Sequence, residues 1–120
     1  MSWDIFVQDI PEDVNSIDDM NHKYHDYKPK IIGKRSELIA KIKKIVPDAD
    51  FSNPSWGVLK RPDCYIEFNM GDKQECDGFG LHISGGNSVF SVISDILKYL
   101  GLKAFDPSSD TGLFKIDKAK

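Results

Sequence analysis

The sequence predicts an α+β domain, an antiparallel sheet of about four to six strands with two amphipathic helices packed on one face. Three observations predict it. Apolar and polar residues alternate in several short runs, two longer stretches repeat apolar residues at helical spacing, and Pro, Gly, Asn and Asp clusters separate them. The expected order is β-α-βββ-α-β(β).

The first strand is Trp3 to Val7, with Trp3, Ile5 and Val7 pointing one way and Asp4, Phe6 and Gln8 the other. Pro11 ends it, because proline has no N–H for a ladder. Glu12 to Lys30 is polar and follows neither period, so it is expected as a long irregular connection held by Tyr24 and Tyr27, and as a candidate partner-contacting segment. The first helix carries Leu38, Ile39, Ile42, Ile45 and Val46 on one face, with Ser36 as N-cap, Glu37 in the first turn and Pro47 as its stop. Trp56 to Leu59, Cys64 to Phe68 and Gly78 to Ser84 form a three-stranded meander. Its turn is Arg61-Pro62-Asp63, and Asn69 to Asp77 is an acidic loop. Ile66, Phe68, Leu81 and Ile83 face inward. The second helix, Ser88 to Leu100, buries Val89, Val92, Ile93, Ile96, Leu97 and Leu100, is capped by Asn87 or Ser88, and ends at Gly101. Lys103 to Ile116 suggests two short strands around a turn, and Lys118 to Lys120 is expected to fray.

Composition bounds the function. The 120 residues fit one domain, 1–120, and the net charge is −3. A general nucleic-acid binder carries a basic excess to neutralise phosphates, so no nucleic acid is expected as partner; Lys34, Arg35 and Lys41 are the local exception that salt-dependent retention on DNA or RNA would reveal. Met1-Ser2-Trp3-Asp4 does not resemble a signal peptide, and no run reaches the ~18 apolar residues of a membrane span. The protein is therefore expected to be cytoplasmic, away from membranes, with Cys64 in the core and Cys76 a loop thiol, not joined in a disulfide.

Several short motifs suggest chemistry, and each has a plainer reading. Asp110-Thr111-Gly112 matches the aspartic-protease triplet but follows Ser108-Ser109 rather than an apolar strand, and reads as a turn. Gly85, Gly86 and Asn87 lead from a strand into a helix, where exposed amides hold anions, yet they lack the spacing of phosphate-binding loops. Gly33-Lys34-Arg35-Ser36 raises the same question at the first helix; with Ser36 as cap, both cations lie in the preceding loop. His22-x-x-His25-Asp26 lacks the rigid support that metal ligands need. No metal and no cofactor are expected. The meander offers the best candidate. Its register puts Glu67 and His82 on the outward face, opposite or one diagonal apart, flanked by Tyr65 and Asn69, with Trp56 nearby and a gap at Gly80. A carboxylate beside an imidazole suits acid–base chemistry, and a polar face with aromatic anchors suits a partner.

Met1 to Pro11 (Met-Ser-Trp-Asp-Ile-Phe-Val-Gln-Asp-Ile-Pro), Gly33-Lys34-Arg35-Ser36, Pro54-Ser55-Trp56-Gly57 and Ala104-Phe105-Asp106-Pro107 resemble a family of small bacterial proteins of unassigned function. The resemblance runs through most of the chain and is most specific at the N-terminus. It implies a bacterial cytosolic protein and transfers no activity. Where that family has a short Ile-Pro-Asp-Asp-like link, this chain has the His- and Tyr-rich run Asn21 to Lys28.

The functional expectation is a non-enzymatic protein-binding module, an immunity-type protein being one form by analogy of size and architecture. The alternative is a small enzyme or ligand sensor using Glu67, His82 and the Gly85-Gly86 turn.

Overall fold

The computed structural model describes residues 3–86 and 88–116. The expectations placed on Met1, Ser2, Asn87 and Lys118 to Lys120 lie outside the described residues. Its principal sheet has five antiparallel strands in the order β3-β4-β6-β1-β7. These are β1 (Trp3–Gln8), β3 (Trp56–Arg61), β4 (Cys64–Asn69), β6 (Gly78–Ile83) and β7 (Lys103–Phe105). The meander is β3-β4-β6, as its alternation requires. β1, the first strand in the chain, inserts between β6 and β7, so Trp3–Gln8 occupies an interior position of the sheet.

Alternation settles both faces. On the inner face Leu59, Ile66, Ile83 and Trp3 form one register row, and Gly57, Phe68, Leu81 and Ile5 the next. Leu59, Ile66, Phe68, Leu81 and Ile5 are fully buried, each contributing about 1.5–3 kcal/mol by removal from water. Gly57 makes room for a neighbour: a Cβ there would lie 2.2 Å from the ring of Phe51, which packs on Phe68 with ring centroids 5.4 Å apart.

Two helices cover this face. α2 (Arg35–Ile45) buries Leu38 and Ile42, with Ile39 and Ile45 only partly buried against the core. α3 (Val89–Leu100) buries Val89, Val92, Ile93, Ile96 and Leu97, whereas Leu100, expected in the same stripe, is only partly buried at the helix end. Gly101 closes α3 in the left-handed region at φ 68°, its amide donating to the Lys98 carbonyl while that of Leu102 donates to Leu97, a Schellman termination.

The structure corrects three expectations. Ser36 is not the cap of α2, which begins at Arg35 with Lys34 in the cap position and no side-chain cap bond. The reason is a two-stranded ribbon, β2 (Gly33–Lys34) with β5 (Glu75–Cys76), which holds the chain so that the Arg35 amide donates to the Gln74 carbonyl at 2.7 Å. Arg35 is thus helical rather than in the preceding loop. Cys76, expected as a loop thiol, lies in β5 and is buried.

The third correction concerns Glu12 to Lys30, which contains a helix, α1 (Ile17–Lys23). Ser16 accepts the Asp19 amide at 3.0 Å, and the Asp19 carboxylate accepts the Asn15 amide at 2.9 Å. This reciprocal capping satisfies early donors. The rest of the segment is tied down by side chains. The Tyr24 hydroxyl donates to Asp13 at 2.8 Å, that of Tyr27 donates to Asp9, and the Lys103 ammonium donates to the carbonyls of Glu12 and Val14 at 2.9 and 2.7 Å. Ile10, Val14 and Leu113 form a second small cluster with Met20, Tyr24 and Phe105 packed against it. Alternation with buried Ala104 turns Phe105 to the outer face, so this cluster shields the β7 end of that face.

Of the two strands expected in the tail, β7 forms and the second is a single bridge between Phe105 and Leu113. The Asp110-Thr111-Gly112 triplet lies in the turn between them. There Gly112 has φ 84°, and the Ile17 amide donates to the Thr111 carbonyl at 2.8 Å, so the turn seats α1.

Candidate functional site

The outer face from β3 to β1 carries the residues singled out in the meander. One register row runs Val58, Glu67, His82, Asp4, and the next runs Trp56, Asn69, Gly80, Phe6. Glu67 and His82 are direct cross-strand neighbours, but they are not hydrogen-bonded to each other. His82 Nδ1 contacts the Asp4 carboxylate at 2.8 Å across the β6–β1 pair. Glu67 instead accepts the Tyr65 hydroxyl at 2.9 Å, and this bond to a carboxylate raises the Tyr65 pKa above the ordinary phenol value. The indole of Trp56 stacks on the imidazole of His82, ring centroids 5.4 Å apart and planes 16° from parallel. His82 is therefore fixed from two sides, by a carboxylate in its plane and an aromatic ring against its face.

Asp4, Phe6 and Gln8 join the site through β1, although only the meander residues were named as candidates. Their sequence signal is the alternation in Trp3 to Gln8, which puts these three residues on one face but leaves open whether Trp3 or Phe6 faces the helices; burial of Ile5 and Val7 settles it. Phe6 and Trp56 are 41% and 38% exposed at the two ends of one register row of this face.

Between them the face sinks into an open depression of about 360 Å³ floored by Gly78 and Gly80 and bordered by Phe6, Gln8, Asn69, Asp77 and His82. Pro29, from the segment after α1, borders it too. With Nδ1 turned to the Asp4 carboxylate, the neutral ring presents Nε2 as a hydrogen-bond acceptor. Among the described residues no hydroxyl or thiol borders the depression. Cys64 and Cys76 are both free and buried, and burial pushes each thiol up from its ordinary pKa.

The Gly85-Gly86 turn lies apart from this row. A Cβ at Gly86 would fall 1.9 Å from the Asp63 carbonyl oxygen, and the Ser88 amide and hydroxyl both donate to that same carbonyl at 3.3 Å. The turn is thus occupied by backbone from the β3–β4 hairpin. His22 Nδ1 contacts the Asp18 carbonyl at 2.8 Å within α1, and His25 faces Asp26 at 3.1 Å. Among the described residues no three His, Cys, Asp or Glu side chains are grouped to hold a metal ion, and no helix is long and apolar enough to cross a membrane.

No protein-family profile, no curated protein and no solved structure matches this chain.

Proposed function

We propose that the protein is a binding module that takes a protein partner on the outer face of its sheet. The observation that carries this reading is the uncovered strip from β3 to β1. It exposes Trp56 and Phe6 beside polar groups that are already paired, Asp4 with His82 and Tyr65 with Glu67. Aromatic residues bring large contact area at small entropic cost, and pre-paired polar groups lose little freedom on docking. The edges of the sheet favour face binding over strand addition. Asp50 exchanges backbone bonds of 2.8 and 3.0 Å with Val58 outside β3, and the Phe114 amide donates to Ala104 outside β7.

The test is site-specific photocrosslinking in lysate of the source organism. A benzophenone amino acid at Phe6 or Trp56 is expected to give one discrete adduct, and the same group at Tyr99 on α3 none. Against the captured partner, Trp56→Ala should weaken binding about 30-fold, the roughly 2 kcal/mol of an aromatic hot spot. The double variant Glu67→Ala/His82→Ala should weaken it as well. No adduct from either outer-face position, or identical adducts from all three, rejects the reading.

A further inference from the structure

The two glycines of the depression have different reasons for being there. A Cβ at Gly78 would meet the Val7 carbonyl oxygen at 2.8 Å, so packing alone demands glycine. At Gly80 the nearest atoms would be 3.8 Å away, and its φ is not positive. Neither sterics nor backbone conformation requires glycine at that position, and a glycine inside a strand costs about 0.5–1 kcal/mol relative to alanine. What the missing side chain does is keep the depression open between Asn69 and Phe6, its register partners on either side.

The walls are rich in acceptors. Nε2 of His82 lies 3.9 Å from where the Gly80 Cβ would be, with Nδ1 committed to Asp4. Asp77 is exposed, and among the described residues its carboxylate has no hydrogen bond or ion pair. Gln8 adds an amide oxygen, and Phe6 an exposed ring face. Among the described residues no lysine or arginine borders the space; Arg35, which reaches the Gly71 carbonyl at its margin, is committed to that carbonyl and to Ser55 at 2.9 and 3.1 Å. The face also carries Asp4 and Glu67, paired with His82 and Tyr65, and Lys60. Lys28 and Lys30 flank Pro29 at the border, and Lys103, the register partner of Gln8, is committed to the carbonyls of Pro11, Glu12 and Val14.

From this we infer that the depression over Gly80 is the pocket for an arginine side chain presented by the protein partner. The inference rests on the outer-face reading above and gives the partner's chemistry, an arginine anchor. A guanidinium is planar, carries five donors and no acceptor, and stacks on aromatic rings. Phe6 supplies the stacking face, and Asp77, Gln8 and His82 Nε2 supply acceptors around it.

The probe is N-acetyl-arginine amide, titrated into the labelled protein by NMR beside N-acetyl-citrulline amide, which has the same shape and no charge. Saturable shifts centred on Gly78, Gly80 and His82 are expected with the arginine compound and not with citrulline. Binding should weaken roughly tenfold in Asp77→Asn, through loss of a charge-assisted hydrogen bond. It should vanish in Gly80→Val, whose fold is checked by its amide spectrum away from the depression. Should Gly80→Val not fold, the exposed Asp77→Asn substitution decides. Absence of shifts, equal shifts with citrulline, or titrations unchanged by the substitutions overturn the assignment. A partner crosslinked from Phe6 and Trp56 that binds Gly80→Val and Asp77→Asn undiminished would leave the face reading standing and remove the arginine pocket alone. Failure of crosslinking in the parent protein removes both.

Discussion

At the scale of single residues, a few polar side chains add bonds between parts of the chain that are distant in sequence. Trp3 Nε1 donates to the Asp106 carboxylate at 2.8 Å, and Asp106 also accepts the Ser108 amide and hydroxyl at 3.0 and 2.6 Å. Arg35 likewise bonds Ser55 at 3.1 Å. These two bonds tie the first strand to the C-terminal turn and the start of α2 to the loop before β3. Tyr65 and Glu67 are different, because their bond lies on the candidate binding face and reports on it. The Glu67 carboxylate favours the neutral phenol, so the folded pKa of Tyr65 is above its unfolded value. Its contribution to stability is thus complete below about pH 10 and is lost as pH rises through the folded value. In Glu67→Gln the acceptor is neutral, and the Tyr65 phenolate should appear at lower pH. A difference titration at 295 nm between parent and variant checks this; coincident curves would mean that the bond does not persist in solution.

Individual elements were legible in the sequence where their signal was local. α2 and α3 bury one face each, and Leu38, Ile42, Val92, Ile93 and Ile96 recur at the spacing that this burial imposes. The meander was legible because Cys64, Ile66 and Phe68 alternate with Tyr65 and Glu67, which fixed the Glu67–His82 register. α1 was not, since it has no buried residue and hence no periodicity; its trace is the Ser16-x-x-Asp19 cap. The β2–β5 ribbon has only two residues in each strand and no pattern to read. Asp4 and Phe6 escaped the candidate site because β1 joins β6 from the far end of the chain, and no local rule names a strand's non-sequential neighbour. The isolation of α1 has a measurable consequence. Ser16→Ala removes the bond to the Asp19 amide and should cost about 1 kcal/mol. Because α1 contributes nothing fully buried, that loss should be local. Amides of α1 should exchange about fivefold faster, while those of β1 and β6 are unchanged. Uniform acceleration across the sheet would show instead that α1 is integral to the global fold.

For the whole molecule, the placement of β1 decides how the parts depend on each other. Its ladders join Trp3–Gln8 to Gly78–Ile83 on one side and to Lys103–Phe105 on the other. Neither the meander nor the C-terminal strand can complete the sheet until the first residues of the chain are in place. The inner face is likewise continuous, a single cluster that takes Ile5 from β1, Phe68 from β4, Ile42 from α2 and Ile96 from α3. A sheet closed by such distant contacts, over one core, should unfold as one cooperative unit. The two tryptophans stand at positions that test this, Trp3 in an interior strand bonded to Asp106 and Trp56 in the edge strand β3. In urea, Trp56→Phe reports through Trp3 and Trp3→Phe through Trp56. Each variant's fluorescence midpoint should coincide with its own far-ultraviolet circular dichroism midpoint, even though loss of the Trp3–Asp106 bond lowers both midpoints in Trp3→Phe. An earlier fluorescence transition for Trp56 alone would mean that β3 releases before the core. The candidate face would then be assembled on a separable edge, and its aromatic strip would be ordered by the partner rather than presented ready-made.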